Sequence, residues 1–206
     1  MFLVRLLVST SVASALTVAA AVPVAAQQLD AETSSVYTVK KGASSVGFTI
    51  YGSMIFKIKR DGRFKDFTGE LAYDPANPGN TRVDLTVYTA SVDMHNSEND
   101  QLMKSGEFFD VEHFPTMHFT NSETDVRPDG TLAMKGDMTI RGVTKKMTIP
   151  VKVHQGVGAD SVFEATFPID RTEFGLNGSP GYGGFALKIA KNVQIHLAIA
   201  TAMQTR

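Results

Sequence analysis

The stretch Gly136-Asp137-Met138-Thr139-Ile140-Arg141-Gly142-Val143-Thr144-Lys145 decides the fold. Apolar and polar side chains alternate before it and after it, and a short glycine-containing connection separates the two alternating runs. The alternating apolar residues are Leu132, Met134, Met138, Ile140, Met147, Ile149, Val151 and Val153. A period of two on both sides of a short turn predicts an antiparallel β-hairpin with one apolar face and one polar face.

The same alternation predicts further short strands along the chain. They cover residues 36–41, 45–51, 63–73, 82–91, 116–124, 131–141, 145–155, 161–169 and 192–201. The exception is Asn96 to Asp110, where Ser97 as N-cap and an acidic first turn predict a short helix and loop. The loop ends in Phe108 and Phe109, which would cover one end of a barrel, seal its core, or do both. Short strands without long helices between them predict an all-β sandwich or barrel.

The beginning of the chain resembles a secretory signal peptide. One basic residue, Arg5, precedes an apolar stretch, and Val24-Ala25-Ala26 suits cleavage after Ala26. The alternative, an uncleaved membrane anchor, needs a longer uninterrupted apolar segment of about 20 residues. We therefore expect a signal peptide at 1–26, a flexible leader at 27–35, a single domain at 36–206, and a periplasmic, secreted protein.

Composition excludes several functions. The chain has no cysteine, so it can form no disulfide and perform no thiol chemistry. Its 20 Lys and Arg residues against 21 Asp and Glu give a net charge of -1, whereas nucleic-acid binding favours a basic excess. We expect no nucleic-acid partner.

Residue types that carry catalysis or bind metal are poorly placed. His118, His154 and His196 fall at polar positions of alternating strands, so we expect them to face water. No Gly-x-Ser-x-Gly motif is present, and Asp170 next to Arg171 is expected to form a local ion pair that fixes a bend. We therefore predict no metal site, no cofactor and no enzymatic activity.

Three more segments, together with the first stretch, resemble a known family. They are Gly62-Arg63-Phe64-Lys65-Asp66-Phe67-Thr68-Gly69, Phe108-Phe109-Asp110-Val111-Glu112-His113-Phe114-Pro115 and Asp170-Arg171-Thr172-Glu173-Phe174-Gly175. Taken in chain order, these four segments are similar to those of the YceI-like family of periplasmic polyisoprenoid-binding proteins. The resemblance implies a lipocalin-like antiparallel β-barrel of about eight strands with one short helix or loop insertion. It also implies a long apolar ligand in the lumen, such as a polyisoprenoid, an isoprenoid quinone or a fatty amide.

The ligand would contact the apolar residues of the inward strand faces, because Phe and Met suit a hydrocarbon chain without polar groups. The candidate lumen residues are Phe48, Ile50, Phe67, Leu71, Val87, Phe108, Phe109, Phe119, Met134, Met138, Phe163, Phe167, Phe185 and Ile195. At the mouth, family members often carry a His after the second strand and an Arg-Asp-x-His-Leu run. This chain has Tyr51 and Asn99-Asp100-Gln101-Leu102 there, so Tyr51 and Gln101 are the polar candidates.

Two other functions remain open at this level. An enzyme acting on a small apolar substrate would need an inward titratable group, and a non-binding, stress-related partner of a membrane redox protein would have a filled core. The expected partner is a long-chain isoprenoid or fatty lipid, and a transient contact with the membrane or a membrane redox protein is compatible with this function. The oligomeric state stays open, a dimer included.

Overall fold

The computed structural model describes residues 35–53, 57–155, 161–178 and 188–203. Within them are eleven strands and one α-helix, α1 (Ser97–Lys104). The strands are β1 (Ser35–Val39), β2 (Ser45–Ser53), β3 (Lys57–Phe64), β4 (Phe67–Tyr73), β5 (Arg82–Tyr88), β6 (Val92–Asp93), β7 (Thr116–Val126), β8 (Leu132–Ile140), β9 (Val143–Gln155), β10 (Ser161–Asp170) and β11 (Lys188–Met203). The expected signal peptide and nearly all of the leader lie outside the described residues.

All described strands belong to one antiparallel sheet that closes on itself. Its order is β1-β4-β5-β7-β8-β9-β10-β11-β2-β3-β6, and β1 also pairs with β11. The pairing of β1 with β11 closes a ring of eight strands, which confirms the predicted all-β barrel. Along one edge of β11, residues 188–198 pair with β2 and residues 201–203 pair with β1. β2 and β3 therefore extend the wall at the end where β11 begins.

The hairpin of β8 and β9 forms as the alternation predicts. Ile140 pairs with Val143 across a two-residue turn, and Arg141 and Gly142 both have positive φ values, 53° and 73°. Two positive φ values define the type I′ turn, whose twist matches that of the two strands. Leu132, Ile140, Ile149 and Val151 are buried on the inward face.

The prediction of one continuous strand at 63–73 is wrong. The structure has two strands there, β3 and β4, and the chain bends between them at Lys65 and Asp66. The backbone N–H of Lys65 donates to the Ser91 carbonyl oxygen at 3.1 Å, and the Asp66 carbonyl oxygen accepts from the N–H of Tyr88 at 3.0 Å. The first half of β3 escaped prediction because most of its side chains are polar and exposed, so no apolar alternation marks it.

Helix α1 begins at Ser97, but its N-cap is Asn96, one residue before the predicted cap. The Asn96 side-chain oxygen accepts hydrogen bonds from the N–H groups of Glu98 at 3.0 Å and Asn99 at 3.1 Å. Asp100 accepts from the N–H of Met94 at 2.6 Å, which attaches the helix to the chain after β6. Among the described residues, no helix is long and apolar enough to cross a membrane.

Candidate functional site

An apolar cavity of about 120 Å³ lies inside the half of the barrel where β2 and β10 end and β11 begins. Strands on all sides of this half contribute to its wall, together with α1 and the loop that follows the helix. The lining residues are Val46, Gly47, Phe48, Ile50, Phe64, Leu85, Val87, Met103, Phe108, Phe109, Met117, His118, Phe119, Met138, Ile140, Ile149, Phe167, Ile169, Arg171, Leu176, Ile189, Val193, Ile195 and Leu197. A wall of this composition excludes water and favours hydrocarbon.

Nine of the candidate lumen residues line this cavity. They are Phe48, Ile50, Val87, Phe108, Phe109, Phe119, Met138, Phe167 and Ile195. They come from β2, β5, β7, β8, β10, β11 and the loop after α1, so side chains far apart in sequence meet around one space. Phe185 lies outside the described residues.

Four other candidates do not line the cavity: Phe67, Leu71, Met134 and Phe163 are buried in the packed core. The ring of Phe163 meets that of Tyr73 edge-on with centroids 5.2 Å apart, so aromatic rings fill this part of the core. Alternation predicts which face a side chain occupies, but it does not predict the depth along the barrel at which packing leaves a space.

The two polar mouth candidates also lie off the cavity wall. Tyr51 is 49% exposed and pairs with the exposed Lys59 of β3, next to the inward Ile50. Gln101 is exposed on α1, whose buried residue is Met103. Both side chains therefore point away from the space that a ligand chain would occupy.

Phe108 and Phe109 cover the cavity at the end nearest to α1. Arg141 Nη1 donates to the Phe108 carbonyl oxygen at 2.6 Å, and the Phe109 N–H donates to the Met103 carbonyl oxygen at 3.0 Å. Arg141 also lies 3.7 Å from Asp110, and both residues have positive φ values. The turn between β8 and β9 thus holds the loop that carries both rings, which are buried in the core and also line the cavity.

Asp110 stabilises this loop further. Its Oδ1 lies 2.8 Å from His113 Nδ1, and this hydrogen bond raises the pKa of the His113 imidazole. His113 is itself exposed, so the contact belongs to the outer surface of the loop.

Arg171 is a lining residue that sequence reasoning did not assign to the site. It is buried, with 8% of its surface exposed, and its guanidinium donates to backbone oxygens rather than to the carboxylate of Asp170, the predicted ion-pair partner, whose charge still acts on it from nearby. Asp170 instead accepts hydrogen bonds from the N–H and hydroxyl of Thr172 at 2.9 and 2.6 Å. Arg171 follows the last residue of β10 in a short 3₁₀ turn, where strand alternation no longer predicts orientation.

The guanidinium of Arg171 is held by backbone oxygens. Nε donates to the Ala190 carbonyl oxygen at 3.0 Å, Nη2 to that of Ile189 at 3.2 Å, and Nη1 to that of Leu176. Burial lowers the pKa of Arg171, but a guanidinium stays charged in a protein. One positive charge is therefore fixed at the wall of an otherwise apolar cavity.

The strand histidines face outward, as predicted. His118 Nε2 lies 2.9 Å from an oxygen of the exposed Asp84, and His154 Nε2 lies 3.1 Å from Glu164. His196 is exposed and contacts the Thr49 hydroxyl at 3.1 Å. Within the described part of the chain, no group of three or more His, Asp or Glu side chains could hold a metal ion.

Comparison with known proteins assigns the family. The YceI-like domain matches residues 37–201 of this chain. The chain belongs to the YceI-like family. A UPF0312 protein from Vibrio vulnificus strain YJ016 is 35% identical to this YceI-like protein over 149 residues, which are 72% of this chain and 75% of the relative.

Two solved structures share the fold of this YceI-like domain. BcnA from Burkholderia cenocepacia has a TM-score of 0.71 at 24% identity, over 80% of this chain and 99% of BcnA. A polyisoprenoid binding domain from Saccharophagus degradans, implicated in plant cell wall breakdown, has a TM-score of 0.65 at 13% identity, over 82% of this chain and 98% of that domain.

The four segments that carry the YceI-like resemblance meet at the cavity. Each supplies at least one lining residue. In chain order, these residues are Phe64 from the segment at 62–69, Phe108 and Phe109 from 108–115, Met138 and Ile140 from 136–145, and Arg171 from 170–175. The segments are far apart in sequence, so it is the fold that brings them to one space.

Proposed function

We propose that this YceI-like protein binds a long apolar lipid, a polyisoprenoid or a related molecule, in the cavity. The observation that carries the proposal is that all four family segments converge on one apolar space inside the barrel. The Saccharophagus degradans domain, which shares the fold, is described as polyisoprenoid-binding and supports the same class of ligand. The protein would sequester or carry the lipid rather than change it.

The driving force for binding would be the removal of hydrocarbon from water. Each buried CH₂ group is worth about 0.8 kcal/mol, so one isoprene unit contributes about 4 kcal/mol at most. Association itself costs about 4–15 kcal/mol, so tight binding requires several buried units. A cavity of about 120 Å³ is small for such a chain. We therefore expect flexible lining side chains, Met103, Met117 and Met138, to change rotamer when a ligand enters.

A binding role suits this site better than catalysis. Among the described residues that line the cavity, Arg171 is the one with a permanent charge, and a guanidinium does not act as a general base. His118 also borders the space, but its imidazole faces outward, where it contacts Asp84 on the exposed side of the strand. We infer that the protein is not an enzyme and that it needs no cofactor besides its lipid.

We propose a periplasmic location and a transient contact with the membrane that supplies the lipid. Arg5 followed by an apolar stretch and by Val24-Ala25-Ala26 supports export. A lipid with several isoprene units is nearly insoluble in water, so a protein that carries one must collect it from a membrane or from another carrier.

Extraction of the purified, exported protein with organic solvent, followed by mass spectrometry, tests the proposal. A long-chain isoprenoid or fatty lipid in a ratio near one per protein supports the carrier. The delipidated protein is then titrated with farnesol, a short isoprenoid alcohol. A protein that is empty on isolation and takes up no farnesol would favour the non-binding partner of a membrane redox protein instead.

A further inference from the structure

Positive charge is concentrated in three neighbouring strands, β11, β2 and β3, although the whole chain has a net charge of -1. The sequences of these strands contain one acidic residue, Asp61. Their basic residues are Lys57, Lys59, Arg60, Arg63, Lys188 and Lys191. All of them except Arg63 belong to the first few residues of β3 or β11, at the end of the barrel that holds the cavity. One side of this end is therefore basic.

The pairing of β2 with β3 places these charges around an exposed aromatic side chain. Tyr51, which is 49% exposed, pairs with Lys59, so Tyr51, Lys57 and Lys59 share the outer face of the two strands. Arg60 lies on the opposite face of β3. The side chains of Lys57, Lys59 and Arg60 are all exposed. Cations therefore lie on both faces of β3 beside the ring of Tyr51.

The fold itself makes little use of these charges. Lys59 Nζ lies 3.2 Å from Asp61, but both side chains are more than half exposed, so this ion pair contributes little to stability. Arg60 Nη1 donates to the Lys59 carbonyl oxygen at 3.3 Å. Within the described part of the chain, no ion pair joins Lys57 or Arg60 to a carboxylate. These cations are therefore available to a partner outside the barrel.

We propose that the basic end of β2 and β3, formed by Tyr51, Lys57, Lys59 and Arg60, docks on a membrane surface that contains anionic lipids. This inference rests on the proposed function, because it locates the membrane contact through which the lipid would reach the cavity. Lys and Arg are attracted to anionic head groups, and Tyr favours the boundary between head groups and acyl chains. Ile50, next to Tyr51 in β2, lines the cavity, so docking here would bring the cavity close to the lipids.

Protection of an open sheet edge is the alternative role for these cations. The pairing of β3 with β6 covers Arg63 and Phe64, so residues 57–62 have no second neighbouring strand among the described residues. Lysine on such an edge prevents pairing with other chains. That role predicts aggregation when the charges are removed, and it predicts no preference between lipid surfaces. The two roles therefore differ in a measurement of membrane binding.

Sedimentation of the exported protein with lipid vesicles measures this binding. One set of vesicles contains phosphatidylcholine alone, and in the other set phosphatidylglycerol, an anionic lipid, replaces about a third of it. We expect the wild type to bind the anionic vesicles about tenfold or more tighter than the neutral ones. High salt should remove this preference, because it screens the attraction between exposed charges.

Removal of the three cations tests the place of docking. Each Lys or Arg near an anionic surface strengthens binding about fivefold, so the triple variant Lys57→Gln, Lys59→Gln, Arg60→Gln should bind the anionic vesicles about tenfold or more weakly than the wild type. The variant Lys57→Arg, Lys59→Arg, Arg60→Lys keeps all three charges and should bind as the wild type does. None of these residues lines the cavity, so both variants should still take up farnesol.

Three exposed cations away from this end provide the matched control. Arg82 begins β5, Arg127 follows β7, and Lys152 lies near the end of β9. The triple variant Arg82→Gln, Arg127→Gln, Lys152→Gln changes the net charge of the protein by the same amount. It should keep the preference of the wild type for anionic vesicles.

The outcomes separate the docking surface from the proposed function. Farnesol uptake without a preference for anionic vesicles leaves the carrier standing and overturns the docking surface. An equal loss of binding in the two glutamine triple variants also overturns it, because the effect would then come from net charge. A preference that depends on the three cations, in a protein that takes up no farnesol, supports the docking surface and contradicts the carrier. If the first triple variant aggregates, Lys57→Gln and Arg60→Gln are each compared with Lys152→Gln, and equal binding by all three overturns the docking surface.

Discussion

Met138 and Met134 form a matched pair on β8, because both point inward but only Met138 lines the cavity. Met138→Trp should abolish farnesol uptake and lower the stability of the delipidated protein by less than about 1 kcal/mol, since the larger ring enters space that ligand would fill. Met134→Trp should cost about 1–3 kcal/mol or more, because it overpacks a closed part of the core. Denaturant unfolding beside a farnesol titration measures both.

The interpretation of the cavity depends on the difference between these two variants. Equal, strong destabilisation by both, together with a wild type that carries no lipid, would show that the barrel interior is close-packed around Met138. Phe119, which pairs with Met138 across β7 and β8, and Phe167 would then be core residues rather than ligand contacts.

The three strand histidines should not take part in binding. Their imidazoles lie on the outer face of the barrel, so His118→Gln, His154→Gln and His196→Gln should each bind farnesol as the wild type does. The affinity of the wild type for this uncharged ligand should also vary little between about pH 5.5 and 8, the range in which histidine titrates. A tenfold loss in any of the three variants would reveal a histidine contact with the ligand.

Among single elements, the bulge in β7 gives the clearest example of a close contact between two strand backbones. The register between β7 and β8 shifts between Asn121 and Glu123, opposite Gly136. A Cβ atom at Gly136 would lie 2.2 Å from the Thr120 carbonyl oxygen and 2.6 Å from the Asn121 Cα atom, and this backbone cannot move without disturbing the ladder.

Gly136→Ala should therefore destabilise the barrel by more than about 2 kcal/mol. Gly106→Ala is the control, because a Cβ atom there meets nothing within 4 Å. Thermal unfolding compares the two variants, and similar midpoints would contradict the close approach of β7 and β8.

Asp93 attaches the short strand β6 and the chain before α1 to β3. Its Oδ1 accepts from the His95 N–H at 3.0 Å, and its Oδ2 lies 3.0 Å from Arg63 and 3.2 Å from Lys65. The His95 hydrogen bond and then the two cations hold the pKa of Asp93 far below its usual value. The unfolded chain has an Asp pKa of about 3.9. A carboxylate whose pKa is lower in the folded protein stabilises the fold above that pH, and the stabilisation is lost as the pH falls toward the pKa of the folded state.

Asp93→Asn should consequently be less stable than the wild type at pH 7, and the difference should shrink below about pH 4. Asp137→Asn, which removes a carboxylate from an exposed pair with Lys146, should cost less than about 1 kcal/mol. Urea unfolding at several pH values measures both, and an effect of Asp93→Asn that does not change with pH would contradict the role of its charge.

For the whole molecule, alternation predicted the strands and their inward faces and the family resemblance implied the barrel, but neither predicted the position of the cavity. The hairpin of β8 and β9 follows directly from alternation and a turn that needs positive φ. The first half of β3 carries no such alternation, and Arg171 lies just beyond a strand, where a period of two ends. Phe163 and Phe167 both point inward from β10, but Phe163 is packed in the core and Phe167 lines the cavity. This difference depends on packing among many strands, which a local sequence pattern does not predict.

Export is the remaining property of the whole chain that sequence alone suggests. Val24 and Ala26 are small residues that suit signal peptidase, and polar Gln27 and Gln28 follow them, so the exported protein should begin near Gln27. Export would bring the barrel to the membranes from which an insoluble lipid must be taken. N-terminal sequencing of the protein from the periplasmic fraction checks this, and Ala26→Arg, which blocks cleavage, serves as the control. Recovery of wild-type protein with Met1 intact in the membrane fraction would instead indicate an uncleaved anchor.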